Sequence, residues 1–185
     1  MHKRPAVFLD RDGTLNVEVG NLHRPEDVVI TPGAAKAVAR LNAKSIPVIV
    51  VTNQSGIGRG LFTWADFNAV LEKIHALLAQ DGAHIDDAYA CPYHKDAKGE
   101  YRQANHPDRK PNPGMILKAA EKHQIDLGRS WMIGDKEIDL EAGHNAGCRA
   151  ALVLTGYGKT VNQASADLVA DDLEQAIEKI LALGL

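Results

Sequence analysis

Val7-Phe8-Leu9-Asp10-Arg11-Asp12-Gly13-Thr14 decides how this chain is read. An apolar run over residues 6–9 ends on an aspartate, a second aspartate follows two positions on, and Gly13-Thr14 turns the chain away. The run predicts a buried strand. The two carboxylates then stand at its carboxyl end, where open α/β sheets place their chemistry. Charges that close repel, and one carboxyl would be driven toward its protonated form. A hard divalent cation such as Mg²⁺ removes that penalty and leaves coordination positions for phosphate and water. The bland alternative is a pair of turn carboxylates closing a strand.

Outward from this run the chain alternates. Residues 16–30 hold short β-prone pieces around Gly20-Asn21 and predict a small hairpin or flap. Pro32-Gly33 opens a helix over residues 34–43. Residues 47–52 are apolar nearly throughout, as in a strand buried on both faces, and end on Thr52-Asn53. A glycine-rich turn follows, with Ser55, Gly56 and Arg59, whose donors suit an oxyanion. Thr63 is placed to cap a helix over residues 64–80, where Phe67, Val70, Leu71, Ile74, Leu77 and Leu78 recur at helical spacing. That stripe reads as core.

Residues 85–90 predict a third strand, and 91–109 a long polar loop without periodicity. Arg109-Lys110 then precedes Pro113, which suits the first turn of a helix, and two cations there make an anion site. A fourth strand over 130–135 ends on Asp135, with Lys136, Glu137 and Asp139 after it. A helix around 140–145, strands at 148–154 and 167–170 and an amphipathic helix through Leu173, Ile177, Ile180 and Leu181 complete the order. Alternation of this kind predicts a doubly wound, mostly parallel α/β sheet with helices on both faces, bringing Asp10, Thr52 and Asp135 to one edge.

The global numbers fit one domain spanning residues 1–185, with 45% apolar and 24% charged residues. A net charge of −3 gives no general attraction to nucleic acid or to an anionic membrane. No apolar stretch has the length of a membrane span or the form of a signal peptide, and Cys91 and Cys148 make no disulfide framework, so a cytoplasmic monomer is expected.

Three acids, a Thr-Asn turn and a lysine at strand and helix ends fit phosphoryl transfer through a carboxylate nucleophile. One aspartate attacks phosphorus, a second protonates the leaving oxygen and later activates water, and a third helps hold Mg²⁺. Hydroxyl and ammonium groups meet the oxygens over which charge spreads.

These motifs resemble those of the haloacid dehalogenase (HAD) superfamily of phosphatases: Asp10-Arg11-Asp12-Gly13-Thr14, Thr52-Asn53, Lys110, and Gly134-Asp135 with Asp139. Thr52-Asn53-Gln54-Ser55-Gly56 and Arg109-Lys110-Pro111 are similar to the branch acting on heptose 1,7-bisphosphate, with histidinol-phosphate phosphatases as close relatives. The resemblance implies a Rossmann-like HAD fold, Asp10 as nucleophile and Asp12 as general acid/base. It implies Mg²⁺ on Asp10, Asp135 and the Asp12 carbonyl, and phosphate contacts from Thr52, Asn53 and Lys110. Contacts to the sugar phosphate would come from Arg109, Ser55, Gly56 and Arg59, while Asp139 orients its neighbours. The implied product is heptose 1-phosphate. The alternatives are histidinol phosphate as substrate, or a silent sugar-phosphate binding protein, against which the full acid set speaks.

Two departures matter. The intervals between motifs hold no separate cap domain, so loops must shape the site. The branch usually carries a C-x-H…C-x-C zinc loop before Arg-Lys-Pro. Here Tyr93 stands where a histidine is expected, and His106 and Asp108 replace both cysteines. Cys91, His94, His106 and Asp108 would need a shifted register to bind zinc and lose two thiolates. The expectation is a loop held by its own packing and hydrogen bonds.

Overall fold

The computed structural model describes residues 3–185. Six strands form one sheet in the order β3-β2-β1-β4-β5-β6, with every neighbouring pair parallel. They are β1 (Val7–Leu9), β2 (Val48–Asn53), β3 (Asp87–Cys91), β4 (Trp131–Gly134), β5 (Arg149–Val153) and β6 (Leu168–Ala170). The helices are α1 (Ala34–Ala43), α2 (Ser55–Arg59), α3 (Trp64–Ala79), α4 (Gly114–His123), α5 (Glu137–Ala146) and α6 (Leu173–Ala182). Among the described residues, no helix is long and apolar enough to cross a membrane.

The period of two along each strand divides the core. Val7 and Leu9, with Val48, Val50, Trp131 and Ile133, pack on one face beneath α1, α3 and α6. Phe8, Ile49, Val51 and Met132 point to the other, beneath Met115, Ile116 and Ala119 of α4 and Ala142 of α5. Burial on both faces explains why these strands read as unbroken apolar runs.

β1 lies between β2 and β4, so the winding reverses beside it. This is the topological switch point, where strand ends diverge and leave a crevice. Asp10 follows β1 there, and its N–H donates to the Ile133 carbonyl at 2.9 Å.

Thr63 caps α3 as expected, in a reciprocal capping box: the Asp66 N–H donates to Thr63 Oγ1 at 3.2 Å, and the Thr63 N–H to Asp66 Oδ2 at 2.7 Å. Three local expectations change. The glycine-rich turn is a single helical turn, α2, because Gly56 packs beneath the Phe62 ring and Gly58 against the Pro92 carbonyl, places where a Cβ would collide. Pro113 is the cap of α4 rather than part of its first turn. The flap is no regular hairpin. Its two ends pair, with the Val17 N–H donating to the Val29 carbonyl at 2.8 Å and the Thr31 N–H to that of Leu15 at 3.0 Å, and the chain between them spreads beside the crevice.

Candidate active site

The crevice is a cleft of about 220 Å³. Asp10, Asp12, Thr52, Asn53, Ser55, Gly56, Arg109 and Lys110 all line it. Arg59 does not; it is exposed at the far end of α2. The flap adds Glu18, Gly20 and Asn21, and the chain after β4 adds Lys136, Ile138 and Asp139.

Lys110 is the centre of charge. Its side chain is 2% exposed, and its Nζ lies 2.8 Å from Asp10 Oδ1 and 2.7 Å from Asp139 Oδ1. It also donates to the Val51 carbonyl at 2.8 Å. Burial opposes the ammonium, but the two carboxylates outweigh it and hold Lys110 above the usual lysine range. Asn53 fixes the lysine's backbone from both sides: its Nδ2 donates to the Lys110 carbonyl and its Oδ1 accepts from the Lys110 N–H, each at 3.1 Å. The Asn53 amide thus positions Lys110 and keeps a second N–H at the cleft wall.

Asp135 is fully buried. Its Oδ2 accepts from the Tyr157 N–H at 2.8 Å, while Oδ1 has no hydrogen-bond partner among the described residues. Burial, aided by Asp10 and Glu18, pushes this carboxyl up against the pull of the Tyr157 N–H and Lys136. Gly13 and Gly156 cradle it, since a Cβ on either would lie within 2.2 Å of Asp135 Oδ2. Oδ1 has Lys136 Nζ at 3.6 Å but no hydrogen bond, and a buried oxygen so placed costs stability unless something fills the gap. Asp10, Asp135 and Asp139 each bring an oxygen within 4.8 Å of the others, a donor set that fits a hard divalent cation. Of the three, Asp139 is already engaged, by Lys110 and by the Lys136 N–H at 3.0 Å. Its carboxyl is raised by burial and by Asp10, against Lys110. Asp10 and Asp135 thus each keep one oxygen without a hydrogen bond, whereas both Asp139 oxygens are engaged.

Asp12 is held by a network of its own. Arg11 grips both its oxygens at 3.1 and 2.8 Å, Asn16 Nδ2 donates to Oδ1 at 3.0 Å, and Gln54 Nε2 to Oδ2 at 3.0 Å. Gln54 Nε2 also reaches Thr52 Oγ1 at 2.9 Å, so one amide couples Asp12 to the Thr52 hydroxyl. Sequence reasoning did not single out Gln54, Glu18 or Lys136 as site residues. Adjacency to Thr52-Asn53 and to Asp135 was the available signal for two of them. Glu18, whose Oε2 accepts from Lys136 Nζ at 3.1 Å, carried none beyond its place in the flap.

Cys91, His94, His106 and Asp108 do not gather. Among the described residues, the acids after β1 and β4 are the group with ligand atoms close enough for a metal, and no three of these four loop residues are. His94 Nδ1 accepts from the Asp96 N–H and His106 Nδ1 from the Asp108 N–H, each at 3.1 Å, and Asp108 pairs with Lys118. The zinc implied by the resemblance does not fit this arrangement.

A HAD-hydrolase-like family profile matches residues 108–176. A D-glycero-D-manno-heptose-1,7-bisphosphate 7-phosphatase of Thermosynechococcus vestitus is 43% identical over 188 residues, covering 96% of this chain and 95% of that protein. The D-glycero-β-D-manno-heptose-1,7-bisphosphate 7-phosphatase of Mesorhizobium japonicum is 44% identical over 152 residues, covering 82% and 70%. A crystal structure of D,D-heptose 1,7-bisphosphate phosphatase from B. bronchiseptica, complexed with magnesium and phosphate, superposes with a TM-score of 0.87 at 34% identity, covering 97% of this chain and 99% of that one.

Proposed function

Because the chain belongs to the heptose-1,7-bisphosphate 7-phosphatase family of HAD-like hydrolases, and is therefore a phosphatase, we propose that it removes the C7 phosphate of D-glycero-D-manno-heptose 1,7-bisphosphate through an aspartyl phosphate on Asp10. The observation that carries the chemistry is the buried Asp10–Lys110 pair, 2.8 Å apart, beside Asp135 with its unpartnered oxygen.

In this reading an Asp10 carboxylate oxygen attacks phosphorus as the bond from phosphorus to the C7 oxygen breaks. Asp12, as the acid, gives its proton to that leaving oxygen. Asp12, now the base, takes a proton from water, whose oxygen attacks the phosphoryl group. The bond to Asp10 breaks, and inorganic phosphate and heptose 1-phosphate leave. Lys110 and the Thr52 hydroxyl bear on the phosphoryl oxygens, where charge is spread in the transition state. Gln54, touching both Asp12 and Thr52, keeps proton transfer and phosphoryl binding in register. A Mg²⁺ held by Asp10, Asp135 and the Asp12 carbonyl would draw off negative charge between nucleophile and phosphate. Arg109, Ser55 and Gly56 also line the cleft and would take the sugar and its second phosphate.

Residues 1–185 then act as one domain on a small soluble sugar bisphosphate. The enzyme is a cytoplasmic monomer feeding nucleotide-activated heptose for a surface polysaccharide. The test is phosphate release, with and without Mg²⁺, from both C1 anomers of the bisphosphate, beside histidinol phosphate and a 3′-phosphorylated oligonucleotide. Mg²⁺-dependent release from one heptose anomer well above the others is expected. Preferred turnover of histidinol phosphate would overturn the substrate, and release unaffected by chelation would overturn the metal.

A further inference from the structure

The loop over residues 91–109 contributes one residue to the cleft, Arg109. That side chain is half-buried, and its Nη1 donates to the Tyr93 carbonyl at 3.0 Å. The aim of the guanidinium thus depends on where Tyr93 sits. Tyr93 is held by its ring, which stacks face to face on His106 with centroids 3.6 Å apart and planes 4° from parallel. Tyr101 packs edge-on against the same ring at 5.5 Å, and its carbonyl accepts from the His94 N–H at 3.1 Å. On the far side His106 returns to Arg109 through the main chain. Its carbonyl accepts from the Arg109 N–H at 2.9 Å and from Asn112 Nδ2 at 2.9 Å.

The circuit is closed. His106 fixes the Arg109 backbone by a hydrogen bond and, through the stacked ring, fixes the carbonyl that aims the Arg109 side chain. Chelated zinc would hold such a loop by charge and ligand geometry. Here two flat rings do so by dispersion and excluded water, an interaction indifferent to metal supply.

We propose that the Tyr93–His106 stack is a metal-independent positioning device that sets Arg109 for the second, non-reacting phosphate of the substrate. Tyr93 and His106 act through Arg109, so they are positioning residues. This inference rests on the substrate reading above, and the experiment separates the two.

The full chain is assayed on heptose 1,7-bisphosphate and on p-nitrophenyl phosphate, which has no second phosphate. His106→Ala removes one ring, and with it the acceptor of the Asp108 N–H, but leaves the His106 carbonyl's bonds to Arg109 and Asn112. The expected result is a KM for the bisphosphate raised about ten-fold, the size of misaligning one charge-assisted hydrogen bond. Its kcat and the hydrolysis of p-nitrophenyl phosphate stay within about two-fold, below a hydrogen bond's worth. His106→Phe, which keeps a flat ring, restores the low KM. In an Arg109→Ala background, His106→Ala has no further effect on KM. A zinc-selective chelator leaves KM and melting temperature where they were.

Should His106→Ala fail to fold, Tyr93→Leu keeps bulk without a flat face and is expected to give the same KM-only effect. Equal losses on both substrates, an unchanged KM, full additivity with Arg109→Ala, or a rise in KM on zinc chelation each overturn the inference. If Arg109→Ala itself fails to distinguish the two substrates, the substrate reading falls with it. If Arg109→Ala distinguishes them and His106→Ala does not, only the stack's role falls.

Discussion

Two lysine–aspartate pairs stand on either side of Arg109, and they are held in opposite ways. Lys110 and Asp10 meet with side chains 2% and 5% exposed, among two further buried acids. Lys118 and Asp108 meet at the rim of the loop, where the lysine is 59% exposed. In the first pair water has been removed from both charges and each depends on its partner; in the second Asp108 is 16% exposed, but the lysine stays in solvent, which screens the pair. The same contrast separates the two halves of the cleft. The half built from strand ends concentrates charge at the cost of desolvation. The half built from the loop holds one cation with rings and carbonyls.

The largest effect expected is at the strand-end half. Asp10→Asn removes the proposed nucleophile, and phosphate release should fall by at least about a thousand-fold while the circular dichroism spectrum stays native. Surviving activity would assign the nucleophile elsewhere. Next, Lys110→Met strands buried carboxylates, and urea unfolding should show a loss of about 3–5 kcal/mol, whereas Lys118→Met should cost under about 1 kcal/mol. Equal costs for the two would dissolve the comparison.

Gln54→Leu unlinks Asp12 from Thr52 without touching charge. A kcat lowered about ten-fold, with stability changed by roughly 1 kcal/mol, is expected from the loss of one buried amide. The smallest effect lies far from the cleft, on β3. Burial works against the Asp87 carboxylate, but bonds from His123, Lys122 and Tyr89 outweigh it and bring its pKa down from 3.8 to about 2. A depressed folded value means stability that is present above pH 3.8 and lost as pH falls through about 2. Asp87→Asn should therefore lower the melting temperature by a degree or two at pH 6, and the difference should shrink as pH falls through about 2 and vanish below it; a gap persisting there would remove the ion-pair explanation.

The strand-end half was the legible one. Apolar runs ending on Asp10, Thr52 and Asp135 announce both the strand and the group it presents, because burial on two faces leaves no polar residue until the edge. The stripe from Phe67 to Leu78 and the Thr63 cap were readable because they are local, although the return bond from Asp66 was not read. The turn at Ser55–Arg59 was misread because glycine's poor helix propensity hides a helix whose glycines serve close packing against Phe62 and Pro92. The segment over 16–30 was read as a hairpin or flap because its β-prone ends were visible, and the wide detour between them, which leaves the flap, was not. Gln54 stood inside a quoted motif but was given no role, since that role depends on a distance to Asp12 across the fold. The Tyr93–His106 stack joins two residues of a segment without period, and no sequence pattern encodes a stacking partner.

Arg109 and Lys110 are consecutive, and Asn53 clamps the backbone of the second. Their Cα atoms stand about 3.8 Å apart and cannot separate. In the proposed binding mode Lys110 would meet the phosphate that leaves and Arg109 the one that stays. The pair would then act as a caliper with a locked jaw. A substrate would be gauged by the span between its two anions, and a homologous sugar longer or shorter by one carbon would seat one end only by lifting the other.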